Sequence, residues 1–228
     1  MDDVKILYED KHLIVVVKPA GMPSQEERSQ TMDMVSWLKN YLVREGKVSG
    51  QPYIGVVHRL DRPVGGVMVY AKSKEAAARL SAQVQDRQMT KEYLAVLTGL
   101  PGKKSGTLTD YLAADPGTNR TIVTDAKTKG AKKAQLEYKI LHSRYSGGQQ
   151  TVLAQIRLIT GRHHQIRVQM AHAGAGLWGD TKYNPDFVGR EGWYDLALFS
   201  NHLSFIHPFT KKQMDFQAEP GHEITDHL

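Results

Sequence analysis

"VVHRLDRPVGGVMVYAKS", Val56 to Ser73, presses apolar residues from both sides onto His58, Arg59, Asp61 and Arg62. Its second half, "GVMVYAK" (Gly66–Lys72), is apolar on both alternating faces, as in a central strand covered on two sides. "YIGVV" before it reads as another strand, and Pro63, Gly65 and Gly66 hold the turn between them. Asp61 lies in that turn. A carboxylate drawn out of water there disfavours its charged form unless a cation stands near. A neighbouring guanidinium would restore ionisation and leave the acid able to attack or to stabilise developing positive charge. Taken alone, Arg-Leu-Asp reads first as a strand-end ion pair.

Working outward, "HLIVVVK" (His12–Lys18) reads as a buried strand ended by Pro19-Ala20-Gly21. "MDMVSWLKNYLVREG" suits a helix with Val35, Leu38 and Leu42 at helical spacing, flanked by polar loops. Ser73 is placed to cap a helix that carries Ala76, Leu80 and Val84 on one stripe. "KEYLAVLTG" returns to strand, with Tyr93, Ala95 and Leu97 on one face. "AQLEYKIL" and "TVLAQIRLIT" alternate strictly, and Gly147-Gly148 supplies the turn of a hairpin between them. A short helix is expected from His163 to Ala173, then strands at Leu196–Phe205 and Gln213–Gln217. The expected class is α+β: one catalytic domain, core about residues 12–217, with a large mixed, mostly antiparallel sheet flanked by helices and loops.

The chain has 228 residues, enough to bury a sizeable core, and 0 cysteines, which excludes disulfides, thiolate catalysis and cysteine-ligated metals. The acidic start "MDDVKILYED" is unlike a signal peptide, and Leu13–Val17 is far too short to span a bilayer, so a soluble cytoplasmic protein is expected. Lys and Arg exceed Asp and Glu by 30 to 24, a net charge of +6 that favours a polyanionic partner without demanding one.

"GRHHQIRVQMAHAG" (Gly161–Gly174) starts after a clean strand and enters what reads as an amphipathic helix. Arg162, Gln165 and Arg167 would gather donors near its first turn, where backbone N–H groups favour anions. A solvated helix face accounts for the same residues equally well. His163, His164, His172, His202 and His207 show no spacing of a known ligand set, so no metal is expected. "RPVGGVMVYAK" lacks the Gly-Lys-Ser/Thr ending of a phosphate loop. Arg120 to Lys133 reads as a solvated basic loop that could follow an RNA backbone.

In order and spacing these clusters resemble the RluA-type branch of the RNA pseudouridine synthases. The likeness begins at "KPAG" (Lys18–Gly21) and continues through "HRLDRPVGG" (His58–Gly66), "KEYLAVLTG" and "GRHHQIRVQMAHAG". It closes with "LALFSNHLSFIHP" (Leu196–Pro208). The resemblance implies that Asp61 takes part in breaking the N1–C1′ bond of a uridine, which is rejoined through C5. It implies that Arg167 pairs with Asp61, that Tyr93 lies against the uracil and assists proton removal from C5, and that Leu198 packs beneath the base. Arg59 matches a residue implicated in displacing the flipped nucleotide, and His58, Arg162 and Gln165 join it as candidate substrate contacts.

An isomerisation needs no water, redox partner or phosphate, so no cofactor is expected. Extruding a base costs roughly a few kcal/mol, least in loops and irregular RNA, and flat and apolar side chains grip the freed base. Excluding water would protect a reactive sugar intermediate. The chain departs from the family where Val64-Gly65-Gly66 replaces Thr-Ser-Gly, Leu198-Phe199-Ser200 replaces Leu-His-Ala, and His163 replaces the usual Thr. Only eleven residues precede "HLIVVVK", so no N-terminal S4-type RNA-binding domain is expected. RNA contacts would then come from loops such as Gln25–Ser36 and Arg120–Lys133. The expected partner is ribosomal or transfer RNA, with no membrane and a monomer favoured. A non-catalytic RNA-binding or RNA-folding protein on the same scaffold would keep the arginines without needing Asp61 and Tyr93.

Overall fold

The structure is a computed structural model that describes residues 4–27, 31–47, 50–146 and 148–227. It divides into two compact units, one running to Lys91 and including Ser200–Glu219, the other Glu92–Phe199 with the chain from Pro220 on.

In the first unit the hairpin β1 (Lys5–Glu9) and β2 (Leu13–Lys18) lays β2 antiparallel along β4 (Gly65–Ala71), from Leu13↔Ala71 to Lys18↔Gly66. Every residue of β4 is buried, as its unbroken apolar run requires. The two-residue β3 (Gly55–Val56) also pairs with β4. Later in the chain β10 (Leu198–Ile206), part of this unit from Ser200 on, pairs with β11 (Gln213–Gln217).

Asp33 caps α1 (Met34–Arg44) by accepting from the Val35 and Ser36 N–H groups. Its buried stripe is Met34, Leu38 and Leu42, with Val35 only half-buried. Ser73 caps α2 (Lys74–Gln85) by accepting from the Ala76 N–H, as its place before an apolar stripe predicts. Ala76 and Leu80 pack with Leu13, Val15, Val67, Val69, Leu203 and Phe205 into a closed core. Gln83, rather than Val84, completes the buried face of α2, its amide bonded to both backbone groups of Ile206.

The second unit is an antiparallel sheet in the order β5 (Thr90–Leu97), β9 (Gln149–Leu158), β8 (Lys132–Ser146), β6 (Ser105–Ala114), β7 (Thr121–Thr124). The chain then enters α3 (Gln165–His172), and a single turn, α4 (His222–Thr225), lies near the C-terminus. Among the described residues no helix is long and apolar enough to cross a membrane.

Three expectations need correction. Arg120–Lys133 is not one loop, because the β-branched run Thr121–Thr124 forms β7 against β6 and Lys132 opens β8. Gln25–Ser36 stops being loop at Asp33, whose cap starts α1; its residues 28–30 lie outside the described residues. The third concerns α3, which is not amphipathic: all six residues from Gln165 to Met170 are buried. The β8–β9 hairpin falls where the alternation places it, although Gly147 of its turn lies outside the described residues.

Candidate active site

Asp61 sits in a turn held almost entirely through backbone groups. The turn is closed by the Val64 N–H donating to the Asp61 carbonyl at 2.9 Å. One residue earlier, the buried Ser24 hydroxyl donates to the Leu60 carbonyl (2.7 Å) and accepts from the Leu60 N–H (3.1 Å). One residue later, the Arg62 carbonyl accepts from the Gly21 N–H (2.8 Å) and from the Lys18 ammonium (3.2 Å), and the Arg62 Nε donates back to the Gly21 carbonyl (3.0 Å). Lys18 is fully buried and also donates to the carbonyls of Pro19 (2.9 Å) and Met22 (2.7 Å), so its three protons meet three acceptors. "KPAG" is thus a buttress for the Asp61 turn.

Burial pushes the Lys18 ammonium down to about 7, against the pull of Asp61 and Glu27 and with the help of Arg62. Past the turn, Gly66 adopts φ +126° and lies against the Ser200 backbone, where any Cβ would collide. This turn closes through the Val64 N–H, without the two hydroxyls that the family motif places at Val64 and Gly65.

Asp61 itself is half-buried between exposed Arg59 and Arg62. His58 accepts from the Val69 N–H through Nε2 at 3.2 Å, which places its proton on Nδ1. Burial and nearby Lys91 hold its pKa down to about 3, so the ring is neutral. Its buried Nδ1 has no hydrogen-bond partner among the described residues.

In the second unit Arg167 is held by side chains. Its Nε and Nη2 donate to the two oxygens of Asp180 at 2.8 and 2.7 Å, both residues being buried. Asp180 Oδ1 also accepts from the N–H groups of Lys182 (3.0 Å) and Tyr183 (3.2 Å). The guanidinium lies 5.2 Å from the centre of the Tyr183 ring, and the Tyr183 hydroxyl shares a 2.6 Å hydrogen bond with His164 Nδ1. His164 precedes α3 in a left-handed conformation (φ +51°), stacked on His163 at 3.7 Å. Burial, Arg167, His163 and Lys182 together push its pKa down to about 2.

Gln165 is committed to the same loop. Its Oε1 accepts from the Thr160 hydroxyl (2.8 Å) and the Arg162 N–H (3.0 Å), and its Nε2 donates to the Gln135 carbonyl (3.1 Å). Arg162 Nε donates to the Lys133 carbonyl at 3.1 Å. The donors expected to gather around an anion therefore fasten the loop to β8, and a phosphate contact by Gln165 would require breaking those bonds. Tyr93 on β5 is 5% exposed and stands opposite Ile156, while Leu198, the first residue of β10, is 4% exposed.

The structure thus groups His58, Arg59 and Asp61 on one pinned turn, and Arg162, Gln165 and Arg167 on one loop and helix. The buttressing roles of Lys18 and Ser24 and the grip of Asp180 were not read from the sequence. "GDTKY" offered the only signal for Asp180, an acid opening a polar turn. His172, His202 and His207 each pair with a different carboxylate, Asp110, Asp215 and Asp10. Among the described residues no three His, Asp or Glu side chains are grouped to hold a metal.

The structure thus offers a carboxylate on a pinned, partly exposed turn and a buried arginine oriented by Asp180. Comparison with known proteins gives the family. Residues 12–172 match the family model described as RNA pseudouridylate synthase. The ribosomal large subunit pseudouridine synthase D of Zymomonas mobilis is 34% identical over 231 residues, covering 95% of this chain and 69% of the relative. The tRNA pseudouridine synthase C of Pasteurella multocida is 33% identical over 238 residues, covering 94% and 90%. Among solved structures, human RNA pseudouridylate synthase domain containing 4 superposes with a TM-score of 0.78 at 21% identity, covering 96% of this chain and 90% of that one, a likeness of fold. The chain belongs to the RNA pseudouridylate synthase family.

Proposed function

We propose that this protein isomerises specific uridines in structured ribosomal or transfer RNA to pseudouridine, with Asp61 as the catalytic residue. The observation that carries the reading is the pinned turn: a half-buried acid whose backbone is fixed at Leu60, Asp61 and Arg62 by Ser24, Val64, Gly21 and Lys18. The family match from 12 to 172 takes in Asp61, Tyr93 and Arg167 together, which supports their joint use.

On this reading the two compact units work as one catalytic domain. Asp61 acts as the N1–C1′ bond breaks, Arg167 sustains its charge, and the uracil turns while bound. C5 then joins C1′, losing its proton with the help of Tyr93, and N1 ends protonated, so atoms balance without a co-reactant. Leu198 would pack beneath the base. Arg59, exposed beside the acid, would occupy the space of the flipped nucleotide or hold its phosphate, with His58 as a further contact, while Arg162 and Gln165 would act by holding the loop before α3 on β8. One relative is named for ribosomal RNA and another for transfer RNA, and both classes remain candidates here. The protein would work in the cytoplasm as a monomer without a cofactor.

The test is a map of pseudouridine across total RNA from cells with and without the gene. Discrete sites lost in its absence, restored by wild type and not by Asp61→Asn, support the reading. Restoration by Asp61→Asn refutes it.

A further inference from the structure

One lysine of the first unit is held unlike its neighbours. Lys18 is buried with its three protons on three carbonyls, and half-buried Lys72 donates to Glu9 Oε1 and to the Asp10 carbonyl, both at 2.7 Å. Lys91 on β5 is half-buried too, yet among the described residues its ammonium makes no ion pair and no hydrogen bond. Burial lowers its pKa, and no acid pulls it back.

The groups around Lys91 supply no acceptor. The His58 ring lies close enough for the Lys91 charge to add to the lowering of its pKa. The lone pair of that ring, on Nε2, already accepts from the Val69 N–H, and the Nδ1 proton itself lacks an acceptor among the described residues. Glu92, next in the chain, alternates to the opposite face of β5, where its carboxylate accepts from Gln155 Nε2 at 2.9 Å. A partly dehydrated cation without an anion costs the folded state stability. Such a cost is typical of a group kept for a substrate.

Alternation along β5 indicates which part of an RNA that substrate group is. Lys91 and Tyr93 are two residues apart, so their side chains leave one face of the strand, with Cα atoms about 7 Å apart. A ring lying against Tyr93 is within reach of a lysine side chain rooted there, and on the family reading that ring is the uracil. Heterolysis of N1–C1′ leaves the bonding electron pair on the base, and the charge spreads from N1 onto the two carbonyl oxygens. A fixed cation in a partly water-free site stabilises such a charge far more than it would in water. A phosphate is anionic before and after the step, so contact with one would tighten binding without favouring bond breaking.

Resting on the pseudouridine synthase reading, we propose that Lys91 is a further catalytic residue: its ammonium donates to a carbonyl oxygen of the target uracil and stabilises the negative charge that the base acquires as N1–C1′ breaks. Lys91 keeps its protons throughout. The electron pair of the anion forms the C5–C1′ bond, and C5 then gives up its proton as N1 takes one.

The test compares wild type, Lys91→Met and Asp61→Asn on ribosomal and transfer RNA, with a thermal melt of each protein. Lys91→Met should lower kcat about 10²- to 10³-fold, the loss expected for one donor to developing charge, with KM unchanged. Its melting temperature should equal or exceed that of wild type, because the substitution removes an unpaired, partly buried charge. On the same RNA carrying 5-fluorouridine at the target, the electron-withdrawing fluorine makes the departing base a more stable anion. The Lys91→Met defect in N1–C1′ cleavage should shrink there. Wild-type kcat for Lys91→Met, beside an active wild type, overturns this proposal alone. So does a raised KM at wild-type kcat with the dependence of log KM on log salt flattened by about one, which would make Lys91 a phosphate contact. Lost activity with a lowered melting temperature and equal defects on both RNAs would make Lys91 a structural residue and overturns it as well. Wild type that modifies no RNA refutes the enzymatic reading, and this proposal with it.

Discussion

The turn carrying Asp61 and the helix carrying Arg167 both present one charged group, but they hold it by different means. Ser24, Lys18 and Gly21 grip main-chain atoms of residues 60 and 62, on either side of the acid. Arg167 is gripped by its own guanidinium, through a carboxylate that is itself buried. A backbone clamp separates structure from chemistry, so the acid can change and the turn remain. A side-chain clamp joins them, because the group proposed to act is also the group that is bonded.

The sharpest division between the two regions should appear in Asp61→Asn. Its activity should fall on the order of 10³-fold or more, while its RNA affinity stays within about tenfold, roughly 1.4 kcal/mol. Its unfolding free energy should move by less than about 1 kcal/mol, since the backbone bonds of the turn survive the substitution and Asn keeps the size of the side chain and its capacity to accept hydrogen bonds. Turnover, RNA binding and denaturant melts on one preparation check all three.

Asp180→Ala should behave in the opposite way. It leaves a buried guanidinium without its two-pronged partner, and destabilisation of about 3–5 kcal/mol is expected. Activity and stability should fall together, and a variant that keeps wild-type stability would break the comparison.

Lys18→Met tests the clamp itself. Three carbonyls lose their shared donor, and a loss of about 1–3 kcal/mol is expected, partly offset because a buried charge also disappears. Burial lowers the folded pKa of Lys18 to about 7 from 10.5, so below pH 7 the wild type carries the full cost of burying the ammonium. Between pH 7 and 10.5 the unfolded chain binds more protons, and this group makes the wild type more stable as pH rises. The stability gap between wild type and Lys18→Met should therefore widen from pH 7 to 9, as thermal melts at several pH values would show. Smallest of all, Ser73→Ala removes the cap of α2, outside both regions, and should cost about 1 kcal/mol with activity unchanged.

How much of this could be read from the sequence followed the reach of the forces involved. The buried strand β4, the cap at Ser73 and the β8–β9 hairpin are local patterns, and all three stand where periodicity and turn residues predict. The strands β1, β6 and β7 escaped notice because lysines, threonines and polar turns blur their alternation. Among the candidate site residues, Asp61 stands out in the sequence because the resemblance is densest around it. Asp180 and Lys18 do not, since their roles come from partners 13 and 44 positions away. The loop before α3 misled for a different reason. Arg162 and Gln165 look like anion ligands in sequence, yet the β8 backbone needs their hydrogen bonds.

The measurement that reaches the central claim most directly is incubation of purified wild type and Asp61→Asn with unmodified ribosomal and transfer RNA, followed by pseudouridine mapping. Pseudouridine formed at discrete positions by wild type and by none of the Asp61→Asn protein is the expected result. Equal modification by both proteins would contradict the assignment of the chemistry to the Asp61 turn.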